Sequence, residues 1–209
     1  MSQPTMIVES LSEGLGLAQT RQDTPSVARR QERRTQGEPE INSLLARVPL
    51  LALRRPAWQP VAGDRWREVA DAKAAADALG EVPRRVFLAL GRNEIAPFAG
   101  APQHVYLVRS VDAVEPPLAV PHAAYIRARG PFREEDDRAL LAGHEIDVVV
   151  AKNSGGPAAY GKIAAARALG IEVMLLRRPS LPVVPSVETI ADAVAWLDHA
   201  PASVAERGV

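Results

Sequence analysis

The sequence predicts an α/β protein: a mostly parallel sheet flanked by helices, with a disordered N-terminal tail. Three observations carry this. From residue 41 onward, short apolar runs alternate with alanine-rich segments of helical spacing, and strands alternating with helices build βαβ units and a mostly parallel sheet. Glycines stop two of the helical segments, at Gly80 and Gly170, as helix ends prefer. By contrast, "TRQDTPSVARRQERRTQGEPE" holds almost no apolar side chains and mixes both charge signs around Pro25, Gly37 and Pro39. Such a segment cannot bury enough apolar area to offset about 1–2 kcal/mol per residue of backbone ordering, so residues 1–40 are expected to be a tail.

Each element follows in order. "VPLLAL" (48–53) is a candidate buried strand, closed by "RRPAWQP". "REVADAKAAADALG" (67–80) has helical spacing, and "RRVFLAL" (84–90) is a strand running into "GRNEIAPF". "HVYLVRSV" (104–111) and "AAYIRARG" (123–130) are further strands. "PFREEDDRALLAG" (131–143) opens with a proline and acids, which suit the first turn of a helix. "IDVVV" (146–150) is the next strand, "PAAYGKIAAARALG" (157–170) the next helix and "EVMLLRRP" (172–179) the next strand. "SVETIADAVAWLDHA" (186–200) is a closing amphipathic helix with Ser186 as its expected cap.

Bulk properties narrow the function classes. Twenty-five basic residues balance 25 acidic ones over 209 positions, so no global field draws the chain to nucleic acid or to an anionic membrane. The chain has no cysteine, which excludes disulfides, thiolate metal sites and a cysteine nucleophile. No apolar run reaches the length of a membrane span, and the N-terminus lacks a signal-peptide pattern. The expectation is a cytoplasmic protein. None of His104, His122, His144 and His199 has a partner at metal-ligand spacing.

Parallel sheets bind ligands beyond the carboxyl ends of their strands. The loops to inspect are therefore "GRN" after 84–90, "RARGPF" after 123–127 and "KNSGG" after 146–150. Gly156, Gly161 and Lys162 satisfy most of a phosphate-loop pattern, G-x-x-x-x-G-K, but Ile163 stands where a magnesium-holding hydroxyl belongs. "PAAY" also reads as already helical, which would turn Lys162 away from a phosphate at the helix start. Tyr160 and Lys162 are two apart, so they cannot share a helix face as a Tyr-x-x-x-Lys pair does. What remains is Lys152, Asn153 and Ser154 at a strand end, followed by a Gly155-Gly156 turn. Exposed amides, the helix dipole and the ammonium would favour an anion; a plain βα turn with a solvated lysine is equally compatible. For Trp58 and Trp66, packing is favoured over stacking on a ligand.

The ordered set of blocks resembles the precorrin-6A reductases of cobalamin biosynthesis. "VVVAKNSGGPAAYGKIAAARALGIEVMLLRRP" is similar to their C-terminal signature, "LLALRRPAWQPVAGDRWREVAD" to their Arg-Pro-x-Trp segment, and "RRVFLALGRNEIAPF" to a strand ending in Gly-Arg with a following Glu. "YLVRSVD" and "ARGPFREEDDRALL" fit the next two blocks. The resemblance implies two Rossmann-like halves that enclose a tetrapyrrole, and an oxidoreductase delivering hydride from NADPH to a double bond of precorrin-6A, giving precorrin-6B. It places Gly91, Arg92, Asn153, Ser154, Gly155 and Gly156 as cofactor-binding candidates, and Arg54, Arg109 and Arg129 as partners of substrate carboxylates. It makes Lys152 the candidate catalytic cation or proton donor.

The family begins with a strand and a Gly-Gly-Thr loop, and neither that block nor the Asp-Ala-Thr-His-Pro-Phe block is found here; no hydrophobic strand is expected ahead of "LSEGLGLAQT". The expected organisation is a tail over 1–40, a remnant of the first half with its connection over 41–80, and a C-terminal Rossmann-like domain over 81–200. Bare apolar surface is expected on residues 44–53, where a first half would pack, with self-association as its consequence. The competing reading is a truncated, non-catalytic domain that binds an anionic tetrapyrrole or nucleotide without turnover. A flavodoxin-like receiver domain lacks support, because no cluster of acids ends an early strand.

Overall fold

A computed structural model describes residues 5–8, 50–180 and 183–199, the first four by backbone alone. In chain order the elements are β1 (Thr5–Val8), β2 (Leu50–Leu53), β3 (Trp66–Val69), α1 (Ala72–Ala78), β4 (Arg85–Ala89), a 3₁₀ turn (Ala96–Gly100), β5 (Val105–Ser110), β6 (Ala123–Arg127), α2 (Glu134–Gly143), β7 (Val148–Lys152), α3 (Gly161–Leu169), β8 (Glu172–Leu176), β9 (Ser186–Val187) and α4 (Ile190–His199). The chain divides into two compact units, Met1–Arg55 with Ser180–Val209, and Pro56–Pro179. A boundary at residue 80 is not what the contacts give: β3 and α1 belong to the second unit.

That second unit is a six-stranded sheet of order β3-β8-β7-β4-β5-β6, parallel throughout. Helices cover both of its faces, so its central strands are buried on both sides and read as unbroken apolar runs. Alternate side chains serve opposite layers. Val86, Leu88, Val148 and Val150 pack with Ala75 and Leu79 from the α1 segment and with Phe98. Phe87, Val149 and Leu175 pack with Leu141 of α2 and with Ile163 and Ala166 of α3. Helices α2 and α3 approach closely because α3 begins on a glycine: a Cβ on Gly161 would lie 2.7 Å from the Phe132 carbonyl oxygen and 3.0 Å from Asp137 Oδ2.

In the other unit, β1, β2 and β9 form a parallel three-stranded sheet with β2 in the middle. Leu51 and Leu53 are buried against Ala193, with Val187 and Trp196 packed beside them. The bare apolar surface expected over 44–53 is thus corrected for residues 51–53, which this small core buries; 44–49 lie outside the described residues. The expected tail lies outside them too, apart from "TMIV" at 5–8. That apolar strand does lead toward "LSEGLGLAQT", contrary to expectation.

Helix starts differ systematically from the sequence reading. The 67–80 segment divides into strand β3, whose Trp66 to Val69 pair with Val173 to Leu176, and helix α1, capped by Asp71 accepting from the Ala74 amide at 2.8 Å. Helix α3 starts at Gly161 rather than 157. At the closing helix the cap is Thr189, whose Oγ1 accepts from the Asp192 amide at 3.1 Å, while Ser186 is part of β9. In each case a strand or loop takes the residues ahead of the helix, and periodicity alone does not see that exchange.

Candidate functional site

The chain leaves β4 toward β5 on one side and leaves β7 toward β8 on the other. Strands β4 and β7 are hydrogen-bonded neighbours, with Ala89 opposite Ala151. Their following loops therefore diverge, and the gap between them is the switch point at which open parallel sheets bind ligands. Gly91, Arg92 and Glu94 come from the first loop, and Lys152, Asn153 and Ser154 from the second.

Lys152 is the last residue of β7, and its side chain is 51% exposed. Its Nζ pairs with Glu94 Oε2 at 2.8 Å, and the same oxygen accepts from the Gly91 amide at 3.0 Å. The Glu94 amide in turn donates to the Gly91 carbonyl at 2.9 Å. A partly exposed pair of this kind contributes about 0–1 kcal/mol to stability. Glu94 is the residue here that sequence reasoning left out of its site; the signal was available, since Glu94 lies three residues after Gly91, the spacing of a turn closed by its own side chain.

The glycine turn packs against an earlier segment of the chain. Gly155 has φ +67° and Gly156 φ +75°, a backbone region that glycine tolerates and other residues resist. Gly155 is buried, and a Cβ there would come well inside 3.0 Å of the Pro56 carbonyl oxygen and 2.7 Å from Arg178 Nη2. Asn153 spends both ends of its amide on Trp58, accepting from the Trp58 N–H at 2.7 Å and donating to the Trp58 carbonyl at 3.0 Å. The Trp58 indole donates to the Gly156 carbonyl at 2.9 Å, and Arg178 Nε donates to the Asn153 carbonyl at 2.6 Å. Asn153, Gly155 and Gly156 are thus engaged with the chain's own 56–58 segment: the Asn153 amide and the Gly156 carbonyl bond Trp58, and Gly155 packs against Pro56. Trp58 packs edge-on against Tyr160, with ring centroids 5.5 Å apart, as the packing reading expects.

A second clasp holds the same strap. Asp64, its side chain almost fully buried, accepts from Arg167 Nε on α3 at 2.8 Å and from the Val61 amide at 2.8 Å. Arg167 also donates to the Tyr160 hydroxyl. The phosphate-loop pattern is excluded, on a corrected ground. Helix α3 does start where such a loop would place it, at Gly161-Lys162. Lys162, however, is buried, donates to the Ala159 carbonyl at 2.7 Å and lies 5.3 Å from the centre of the Trp58 ring.

The arginine candidates separate into two kinds. Arg109 is corrected as a substrate contact: it and Asp137 are 6% and 3% exposed and form an ion pair, and its guanidinium carbon lies 3.7 Å from the Phe132 ring centre and 4.9 Å from that of Phe87. It fastens β5 to the start of α2. Arg92 and Arg129 are exposed, as are Arg127 at the end of β6 and Arg177 after β8, two cations the sequence reading did not single out. Arg54 follows β2 in the other unit, where its amide donates to the Val187 carbonyl at 2.8 Å. The open depressions of about 360 and 400 Å³ lie elsewhere, at the amino ends of the strands, lined by residues such as Arg84, Arg85, Asp147 and Glu172. Their arginines are paired with carboxylates, Arg84 with Glu172 and Arg85 with Glu145, so the switch point, with its exposed Arg92, is the better candidate for an anion. No helix among the described residues is long and apolar enough to cross a membrane.

Residues 43–198 match the family model described as precorrin-6x reductase CbiJ/CobK. The chain belongs to that family. It is 54% identical over 152 residues to a precorrin-6A reductase of a Sinorhizobium species, covering 73% of this chain and 58% of that protein. It is 46% identical over 153 residues to the precorrin-6A reductase of Rhodobacter capsulatus, covering 73% and 61%. A solved structure titled CobK precorrin-6A reductase superposes with a TM-score of 0.76 at 42% identity, covering 83% of this chain and 70% of that one. The match spans about three fifths of the length of these curated relatives.

Proposed function

We propose that this chain serves a precorrin-6A reductase reaction giving precorrin-6B, in which the carboxyl edge of the six-stranded sheet holds the anionic groups of an NADPH cofactor and of a tetrapyrrole substrate. Its relatives are named precorrin-6A reductase. The observation that carries the reading is the position of Lys152 and Arg92 at the switch point between β4 and β7.

The donor set fits the groups concerned. Arg92, Lys152 and Ser154 offer cations and a hydroxyl to a phosphate-bearing cofactor, whereas Gly155 packs against Pro56 and the Gly156 carbonyl is taken by Trp58. Arg127 and Arg129 at the far end of the edge, and Arg177 at the near end, offer guanidinium forks to carboxylates spread around a macrocycle. Neighbouring parallel strands stand about 4.8 Å apart, so from β8 to β6 these cations span roughly 19 Å along the edge. A bound nicotinamide supplies the hydride. The chain's own part is to hold both anions, with Lys152 as the catalytic cation that neutralises charge beside the reduced bond.

The test is a titration of the purified chain with NADPH followed by nicotinamide fluorescence, then addition of precorrin-6A with loss of nicotinamide absorbance as readout. Saturable binding, weakened at least tenfold in Lys152→Gln, is the expected result. Saturable binding with no substrate-dependent oxidation leaves a binding domain without turnover. No binding even at millimolar cofactor removes the proposal.

A further inference from the structure

We propose that Glu94 is a built-in stand-in for the ligand's anion, which an incoming phosphate or carboxylate must expel before it can use the switch point. The inference rests on the proposed reading of the carboxyl edge as an anion site. One oxygen, Glu94 Oε2, collects a backbone amide from the loop after β4 and an ammonium from the end of β7. These two donors come from opposite sides of the gap between adjacent strands, and they are the donor types a phosphate or carboxylate takes at such a crevice. The chain has supplied its own carboxylate to them.

Local geometry suits a displaceable group. The Gly91–Glu94 turn is closed by backbone as well as side chain, through the Glu94 amide on the Gly91 carbonyl, so rotating the side chain frees the donors without unmaking the turn. The Glu94 side chain is 31% exposed and has water to move into. Arg92, two residues before it, is exposed and has no ion pair among the described residues, so a ligand anion that displaces Glu94 meets a second cation. Glu94 would thereby set specificity. A singly charged carboxylate gains little by replacing another, whereas a phosphate with more charge gains over it.

A supporting role and a competing role predict opposite signs. If Glu94 merely props up the site, removing its charge weakens anion binding. If it competes, removing its charge strengthens binding. The experiment is calorimetric titration of the full chain with inorganic pyrophosphate at fixed ionic strength, for wild type, Glu94→Gln, Glu94→Asp and Lys152→Gln, with far-ultraviolet circular dichroism to show that each is folded. Glutamine can still accept from Gly91, so the turn is retained while the charge is lost.

The expected result is a three- to fivefold gain in affinity for Glu94→Gln, on the order of one partly exposed ion pair. Glu94→Asp, which keeps the charge, returns toward wild type, and Lys152→Gln loses most of the binding. Unchanged or weakened binding in Glu94→Gln, with binding still lost in Lys152→Gln, overturns the competition and leaves the anion site standing. Pyrophosphate binding indifferent to Lys152→Gln, or absent throughout, overturns both.

Discussion

The two edges of the six-stranded sheet treat charge in opposite ways. At the amino edge the cations have partners within the protein: Arg84 pairs with Glu172 at 2.9 Å, Arg85 with Glu145 at 3.3 Å, and Arg65 donates a hydrogen bond to the Gly170 carbonyl at 2.8 Å. At the carboxyl edge Arg92, Arg127, Arg129 and Arg177 form no ion pair among the described residues. Both edges belong to one sheet and one set of strands, so packing does not account for the difference. A protein that leaves four guanidinium groups on the side where its loops open is equipped to receive acidic molecules there. The amino edge has open depressions and the carboxyl edge has exposed guanidinium groups without ion pairs among the described residues. For anionic ligands the charge decides, because ions attract over distances at which shape has no effect.

The comparison breaks most visibly at Arg109, a carboxyl-edge cation that behaves like an amino-edge one. Arg109→Met leaves the Asp137 carboxylate buried without its partner. Breaking a buried pair in this way costs about 3–5 kcal/mol, which chemical denaturation would read directly. Replacing both partners, as Arg109→Met with Asp137→Leu, should recover much of the loss. A single substitution costing under about 1 kcal/mol would mean that the pair is solvated and that Arg109 belongs with the free cations after all.

Next in size is Gly155→Ala. It puts a Cβ against the Pro56 carbonyl at a φ that alanine resists, costing about 2 kcal/mol or more by strain and displacement. The same change in a glycine turn open to ligand would cost binding before stability. An intact melting temperature with lost pyrophosphate binding would therefore return Gly155 to the ligand site.

These two residues show how far the sequence was legible. The loops that carry Lys152 and Arg92 are legible from the rule that parallel strands present ligands at their carboxyl ends, since a strand end can be read from a local apolar run. The fate of Gly155 and Asn153 could not be read in that way. It depends on Pro56 and Trp58, which reach the loop from nearly a hundred residues earlier in the chain, Trp58 lying 95 positions before Asn153. The role of Arg109 is not legible for the same reason, because its partner Asp137 belongs to a helix that folds over β5 from elsewhere in the chain. The alternation of strands and helices was legible because periodicity is local. The residues between them were not, since a turn, a short strand or a first helical turn can each absorb three or four positions with similar composition.

The carboxyl edge itself is sharpened by Arg92→Gln combined with Arg129→Gln. Each should weaken binding of a porphyrin polycarboxylate by about fivefold, with increasing salt erasing much of the difference and stability unchanged within about 0.5 kcal/mol. At the amino edge the corresponding substitution, Arg84→Gln, should do the reverse. It should cost up to about 1 kcal/mol of stability, since both partners are only partly exposed, and leave anion binding as it was. Loss of porphyrin binding in Arg84→Gln would move the candidate site to the wrong edge for this proposal.

The smallest effect concerns His104, buried beside that amino edge, where its Nδ1 accepts from the Arg84 amide at 3.2 Å. Burial lowers its pKa below the ordinary 6.5, because the charged imidazolium loses hydration, and the nearby Arg84 adds to the shift. The folded state thus takes up its proton later than the unfolded state does. The corresponding stability is fully present above 6.5 and is lost as pH falls through the lowered value. His104→Gln removes this titration, so the gap between wild type and variant in denaturant midpoint should narrow on going from about pH 7.5 to about pH 5. A gap that stays constant across that range would show that the His104 site admits the proton without penalty, and that the amino edge is less closed to solvent than its internal ion pairs imply.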